Sequence, residues 1–300
     1  MTKALVLSGG GSLGIAWQVG LAAGLAEAGV DLREADLVVG TSAGSAVGAR
    51  IALGWDMADQ LGRYRKAGTD GAGEAGRRIG AGGGAAERMQ KLMELMAEAQ
   101  SSDASPEETR AAIGRFALEA DAGPEDRFVD SFAYLAGEGW PEGYVCTAVN
   151  AVTGEFTAWD GSRGEPLERA VASSCSVPGL FPPITVNGER YIDGGMRSGT
   201  NADLAKGHDR VLIVTLMGGT RQAAPGGDER MARYLARFDS EMAVLAEAGG
   251  KVETVGPDEG AAAVLGVNLM DAARGPEAAE AGYAQGRREA GRVGAFWATS

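Results

Sequence analysis

One histidine, His208, stands in 300 residues, and Cys146 and Cys175 are the only thiols. That supply is too thin for a disulfide framework or the usual four-ligand zinc site, so no metal is expected and the thiol usage suits a reducing cytoplasm. Proline is scarce too, at 10 residues, so the 48 glycines belong to no collagen-like repeat and must serve turns, close backbone approaches or flexible stretches. Basic residues are outnumbered, 28 Lys and Arg against 41 Asp and Glu, for a formal net charge of −13. Such a surface repels phosphate backbones and anionic bilayers at long range, which argues against nucleic acid and leaves at most peripheral membrane contact. No apolar run approaches the roughly 18 residues a spanning helix needs, and the stretch Ala4–Leu7 is too short for the core of a secretory signal. Hydrophobic residues are plentiful at 45%, enough for a self-sufficient core.

The apolar tetrad Ala4–Leu7, closed by Ser8 and three glycines, predicts a strand buried on both faces. A helix is expected from Gly14 to Gly29, a second strand at Leu37–Val39, and a second helix from the Gly40–Gly44 turn to Leu53. This alternation implies an α/β fold with a mainly parallel sheet, and it puts two glycine-rich turns on the carboxyl edge of the strands. Residues 68–84 carry eight glycines and read as a loop. Met89, Leu92, Met93 and Met96 then form an i, i+3, i+4, i+7 stripe, which fits either core packing or a deformable apolar lid. With further helices at 106–120 and 128–135, residues 55–142 are expected to form a helical insertion over the active-site edge of one 300-residue domain. Strands are predicted at Tyr144–Val149, Glu155–Trp159, Val211–Leu216 and Lys251–Val255, and a terminal helical extension at 276–300.

Two glycine-rich turns carry the chemistry. Gly9, Gly11 and Gly14 satisfy G-x-G-x-x-G after a strand, the pattern of a nucleotide phosphate site, but Gly40 follows the second strand where a ribose-binding carboxylate should stand. The same glycine amides can serve instead as an oxyanion hole, with Gly9, Gly10, Gly11 and Ala43 as candidate donors. Gly40-Thr41-Ser42-Ala43-Gly44 matches G-x-S-x-G at a strand-to-helix turn, where Gly40 and Gly44 permit the sharp bend of a nucleophile elbow. The plain alternative is a turn in which Ser42 caps a helix. Ser42 needs a base. His208 precedes a strand and so belongs to the opposite sheet edge, which leaves Asp193, in Asp193-Gly194-Gly195, as the better candidate beside the plain reading of a turn-capping Asp.

These parts together resemble the patatin-like phospholipase family. The resemblance rests on Gly9–Gly14, Gly40–Gly44, the block Ala172–Pro183 and Asp193–Gly195, within residues 5–216. It implies a three-layer α/β fold, a Ser42–Asp193 dyad that needs no histidine or cofactor, and hydrolysis of a lipid or other acyl ester. Leu13 departs from the pattern, since the family usually has Arg or Lys there, and the loss of a cation makes an anionic headgroup a less secure expectation than ester hydrolysis. The rival readings are a nucleotide-binding protein using Gly9–Gly14 and a non-catalytic lipid-binding scaffold.

Overall fold

In the computed structural model, which describes residues 1–69, 84–98, 104–216 and 229–298, the first apolar tetrad lies in β1 (Lys3–Leu7), buried along its whole length. The chain forms two compact units. Met1–Arg77, Pro141–Tyr144 and Ser198–Ser300 make the first; Arg78–Trp140 and Val145–Arg197 make the second.

In the first unit β1 pairs in parallel with β2 (Leu37–Gly40) on one side and β7 (Arg210–Val214) on the other, and β7 pairs in parallel with β8 (Lys251–Val255). The register sets Leu7 beside Gly40 and Val214, so the carboxyl ends of three strands share one edge. Helices cover both faces. On one, Ala4, Val6, Val39, Val211 and Ile213 pack against Phe238, Met242 and Leu245 of α8 (Glu229–Glu247). On the other, Gly48 of α2 (Ala43–Ala52) lets the helix approach the sheet closely, since a Cβ there would lie 3.1 Å from a Val38 methyl and 3.5 Å from a Leu7 methyl. The mainly parallel α/β expectation holds in this unit.

Helix α1 (Gly11–Glu27) packs on the terminal helix α10 (Gly275–Trp297) through small residues. A Cβ on Gly20 would lie 1.9 Å from the Ala279 carbonyl oxygen, and one on Gly282 would lie 2.2 Å from that of Trp17. Gly24 and Gly286 are nearly as tight, at 2.3 Å from the Tyr283 and 2.4 Å from the Leu21 carbonyl oxygen, so two small-xxx-small stripes let the backbones touch. The first unit also contains α3 (Met57–Thr69) and α9 (Glu259–Leu265).

Antiparallel pairing governs the second unit: β6 (Glu189–Asp193) lies between β5 (Ile184–Val186) and β3 (Tyr144–Asn150), and β3 also pairs with β4 (Phe156–Trp159). Its helices are α4 (Ala85–Glu98), α5 (Pro106–Glu119), α6 (Glu125–Val129) and α7 (Leu167–Ser174). Residues 184–193 form a hairpin around Asn187-Gly188 that local pattern did not reveal. Three of the four stripe residues belong to a core, where Met89, Leu92 and Met96 join Ile113, Ala117, Val149 and Ile192, while Met93 is exposed. Most of the expected 68–84 loop falls outside the described residues.

Candidate active site

Ser42 occupies the corner between β2 and α2 with φ 52° and ψ −121°. A β-region residue would be the ordinary helix cap, and the Ser42 side chain makes no capping bond to α2. For a non-glycine residue this backbone is strained, and strain of this kind persists only where the surroundings enforce it. Here they do. A Cβ on Gly40 would sit 2.5 Å from Ser45 Cα, and one on Gly44 would sit 2.0 Å from the Leu7 carbonyl oxygen, so only glycine fits on either side of the bend. Behind it the Ser45 hydroxyl donates to the Ser42 carbonyl at 2.6 Å, and the Tyr144 hydroxyl donates to the Ser45 carbonyl at 2.8 Å.

The glycine loop lies beside this corner on the same sheet edge. A Cβ on Gly9 would stand 3.3 Å from that of Ser42. Not all of its amides remain available: Gly9 donates to the Gly199 carbonyl at 3.0 Å, which removes it from the expected oxyanion donors. Leu13 donates to Leu269 at 2.9 Å, and Gly14 to Gly10 at 2.8 Å. Among the described residues, the amides of Gly10, Gly11 and Ala43 have no carbonyl partner. Gly11 and Ala43 open α1 and α2, where first-turn amides point out of the helix and carry its positive dipole end.

Leu216 and the segment around Met270 crowd this loop. A Cβ on Gly10 would meet Leu216 at 2.7 Å, and one on Gly11 would meet the Met270 sulfur at 2.7 Å. Local pattern pointed to neither residue, because each reaches the loop from more than 200 positions along the chain. Leu13, in the position where a cation was expected, is wholly buried.

Asp193 ends β6 in the second unit and is 2% exposed. Its Oδ1 accepts from the Gly195 amide at 2.7 Å, the two-residue turn contact characteristic of Asp, and its own amide donates to the Ser176 carbonyl at 2.9 Å. Gly194 is required because a Cβ there would lie 2.2 Å from the Thr147 hydroxyl oxygen. Ser176, in the 172–183 block, in turn donates to the Pro182 carbonyl at 2.7 Å, and Phe181 stacks on Phe128 with ring centroids 4.3 Å apart. Cys175 is buried. His208 bonds the Ala205 carbonyl two residues before β7 begins, so it lies at the amino edge of the sheet, opposite Ser42.

Residues 5–206 match the family model described as patatin-like phospholipase. The chain belongs to the patatin-like phospholipase family. A relative from Aspergillus oryzae, described as lysophospholipase nte1, is 32% identical over 193 residues, covering 64% of this chain and 10% of its own. The chain thus spans about a tenth of that relative's length. Among solved structures, VipD from Legionella pneumophila aligns over 97% of this patatin-like chain and 67% of its own, at 16% identity and a TM-score of 0.42. Among the described residues no helix is long and apolar enough to cross a membrane, and no group of three or more His, Cys, Asp or Glu is placed to hold a metal ion.

Proposed function

We propose that this patatin-like protein is a serine acyl hydrolase that cleaves lipid acyl esters of the phospholipid or lysophospholipid type. The observation that carries the reading is the enforced backbone of Ser42: a non-glycine residue at φ 52°, held between two glycines that admit no Cβ, beside the first amides of two helices. An ordinary turn has no use for that strain, whereas a nucleophile must stand clear of its own helix and face the positive helix ends. Family membership and the name of the Aspergillus oryzae relative support a lipid ester as the substrate class.

In the proposed reaction Ser42 Oγ attacks the acyl carbonyl and its proton passes to the Asp193 carboxylate. The resulting oxyanion is held by the amides of Gly10, Gly11 and Ala43, positioned before the charge develops. Collapse breaks the ester bond, and the departing alcohol takes the proton from Asp193. Water then attacks the acyl-serine ester, again giving its proton to Asp193, and the fatty acid leaves as Ser42 recovers its proton. His208 has no part, since it occupies the other sheet edge. No cofactor enters the reaction.

Release of p-nitrophenol from short and medium acyl esters, and of fatty acid from lysophospholipid, tests the reading in wild type and in Ser42→Ala, Asp193→Asn and His208→Ala. The first two substitutions are expected to lower kcat by about 10³-fold or more, as removal of a nucleophile or its base does. His208→Ala is expected to retain wild-type turnover. A Ser42→Ala protein as active as wild type rejects the assignment.

A further inference from the structure

One turn touches both the Ser42 corner and the glycine loop beside it. Asn201 donates through its side-chain amide to the Thr41 hydroxyl at 3.0 Å, and the Thr41 hydroxyl lies 3.4 Å from the Thr200 carbonyl. Two residues earlier, the Gly199 carbonyl receives the Gly9 amide. The segment 198–202 therefore sets the residue preceding Ser42 and the first glycine of the oxyanion loop at a fixed spacing. Its own conformation is strained: Asn201 has φ 49° and ψ 38°, and it is wholly buried.

Internal bonds hold part of this turn. The Ser198 hydroxyl accepts the amides of Thr200 at 3.2 Å and Asn201 at 3.1 Å. The remaining fastening comes from α8. Glu241, 1% exposed, accepts the Thr200 hydroxyl at 2.5 Å and the Ala202 amide at 3.0 Å, both on Oε2, while Oε1 accepts from Arg237 at 3.1 Å. Phe238, Met242 and Leu245 show what α8 otherwise uses against the sheet, namely apolar side chains. A carboxylate among them is costly unless its bonds are made, and two of those bonds go to the turn.

We propose that Glu241 is a positioning residue for the acyl-transfer site, acting through Thr200 and Ala202 to hold the 198–202 turn that spaces Ser42 from the oxyanion glycines. This rests on the reading of Ser42 as nucleophile. Glu241 lies beyond the residues matched to the family, 5–206, so the C-terminal part of the chain completes the support of the site. Small displacements of a nucleophile are enough to slow acyl transfer steeply, which is how a residue that never meets substrate governs kcat.

The test measures the rate at which a fluorophosphonate modifies Ser42, together with kcat and KM on a p-nitrophenyl ester, in wild type, Glu241→Ala, Glu241→Gln and Thr200→Val. Melting curves fix a working temperature at which each variant is folded. Glu241→Ala is expected to slow both labelling and kcat by about 10- to 100-fold, with KM within about twofold of wild type. Glu241→Gln, whose amide oxygen still accepts from Thr200, restores most of the rate. Thr200→Val deletes the same bond without changing shape, so it slows labelling too, and it carries the test if Glu241→Ala does not fold. Wild-type protein that resists the probe overturns the nucleophile reading and this proposal with it. Labelled wild type, with folded variants labelled equally fast and only their melting temperatures lowered, overturns the positioning role alone.

Discussion

Gly20 and Ala279 approach so closely that a Cβ on Gly20 would lie 1.9 Å from the Ala279 carbonyl oxygen. Gly282 reciprocates against Trp17 at 2.2 Å, so α1 and α10 meet backbone to backbone. Gly20→Ala must push the helices apart and is expected to destabilise the protein by about 3 kcal/mol, the upper end of overpacking costs. Gly282→Ala should act likewise. The double variant should cost less than the two single changes added, because separation forced by one residue relieves the other. Urea unfolding midpoints of the four proteins measure this directly.

A contrast between two other glycines separates packing from propensity. Gly291 is an exposed residue of α10 with nothing within 4 Å of its missing Cβ, so Gly291→Ala should stabilise by about 0.5–1 kcal/mol, the helix-propensity difference. Gly44→Ala would place its methyl 2.0 Å from the Leu7 carbonyl, and it is expected to abolish fluorophosphonate labelling of Ser42 in whatever fraction still folds. Thermal melts and probe labelling read the two outcomes.

Leu13 stands fully buried at the position where the resemblance to the family led to the expectation of a cation. Its surroundings are the N-terminal turn of α1, with the Leu269 carbonyl bonded to its amide. Leu13→Arg therefore restores no ordinary family contact. It buries a charge, and a loss of about 3 kcal/mol or more is expected, seen as a lower melting temperature. Unchanged stability would mean that the loop can turn this side chain outward.

Tyr191 sets an alkaline limit. Burial, then donation to Glu189 at 2.7 Å, pushes its phenol from 10.0 up to about 12. The folded state thus holds the proton more tightly than the unfolded state. Its stabilising contribution is complete below pH 10 and is lost as pH rises from 10 toward 12. Tyr191→Phe keeps the edge-on contact with Trp159, at 4.8 Å between ring centroids, and removes the titration. Melting temperatures across that window should fall less steeply in the variant, and the tyrosinate absorbance step at about pH 12 should shrink.

The parts of the fold legible in the sequence are those written in neighbouring residues. The Ala4–Leu7 and Leu37–Val39 runs announce buried strands, and the glycines around Ser42 and after Asp193 announce sharp turns. The α1–α10 contact was not legible, because α1 is apolar around nearly its whole circumference and its small-residue stripe has no local period to stand out from. Asn201 and Glu241 were hidden for another reason. A left-handed Asn and a buried Glu look like any loop Asn and surface Glu until the chain is folded, and their bonds reach Thr41 and Thr200 across 160 and 41 positions. Gly9 was named as an oxyanion donor for want of the same information, its amide being bound to Gly199.

The pairing of α1 with α10 also governs when the domain can fold. Gly20 must wait for Ala279, more than 250 positions downstream, before its bare backbone finds a cover, and β1 must wait for Arg210–Val214 before its second edge is paired. Contacts of such high sequence separation carry a large closure entropy, so they form late and slowly. During synthesis the helix that follows the glycine loop is therefore made long before the helix that encloses it.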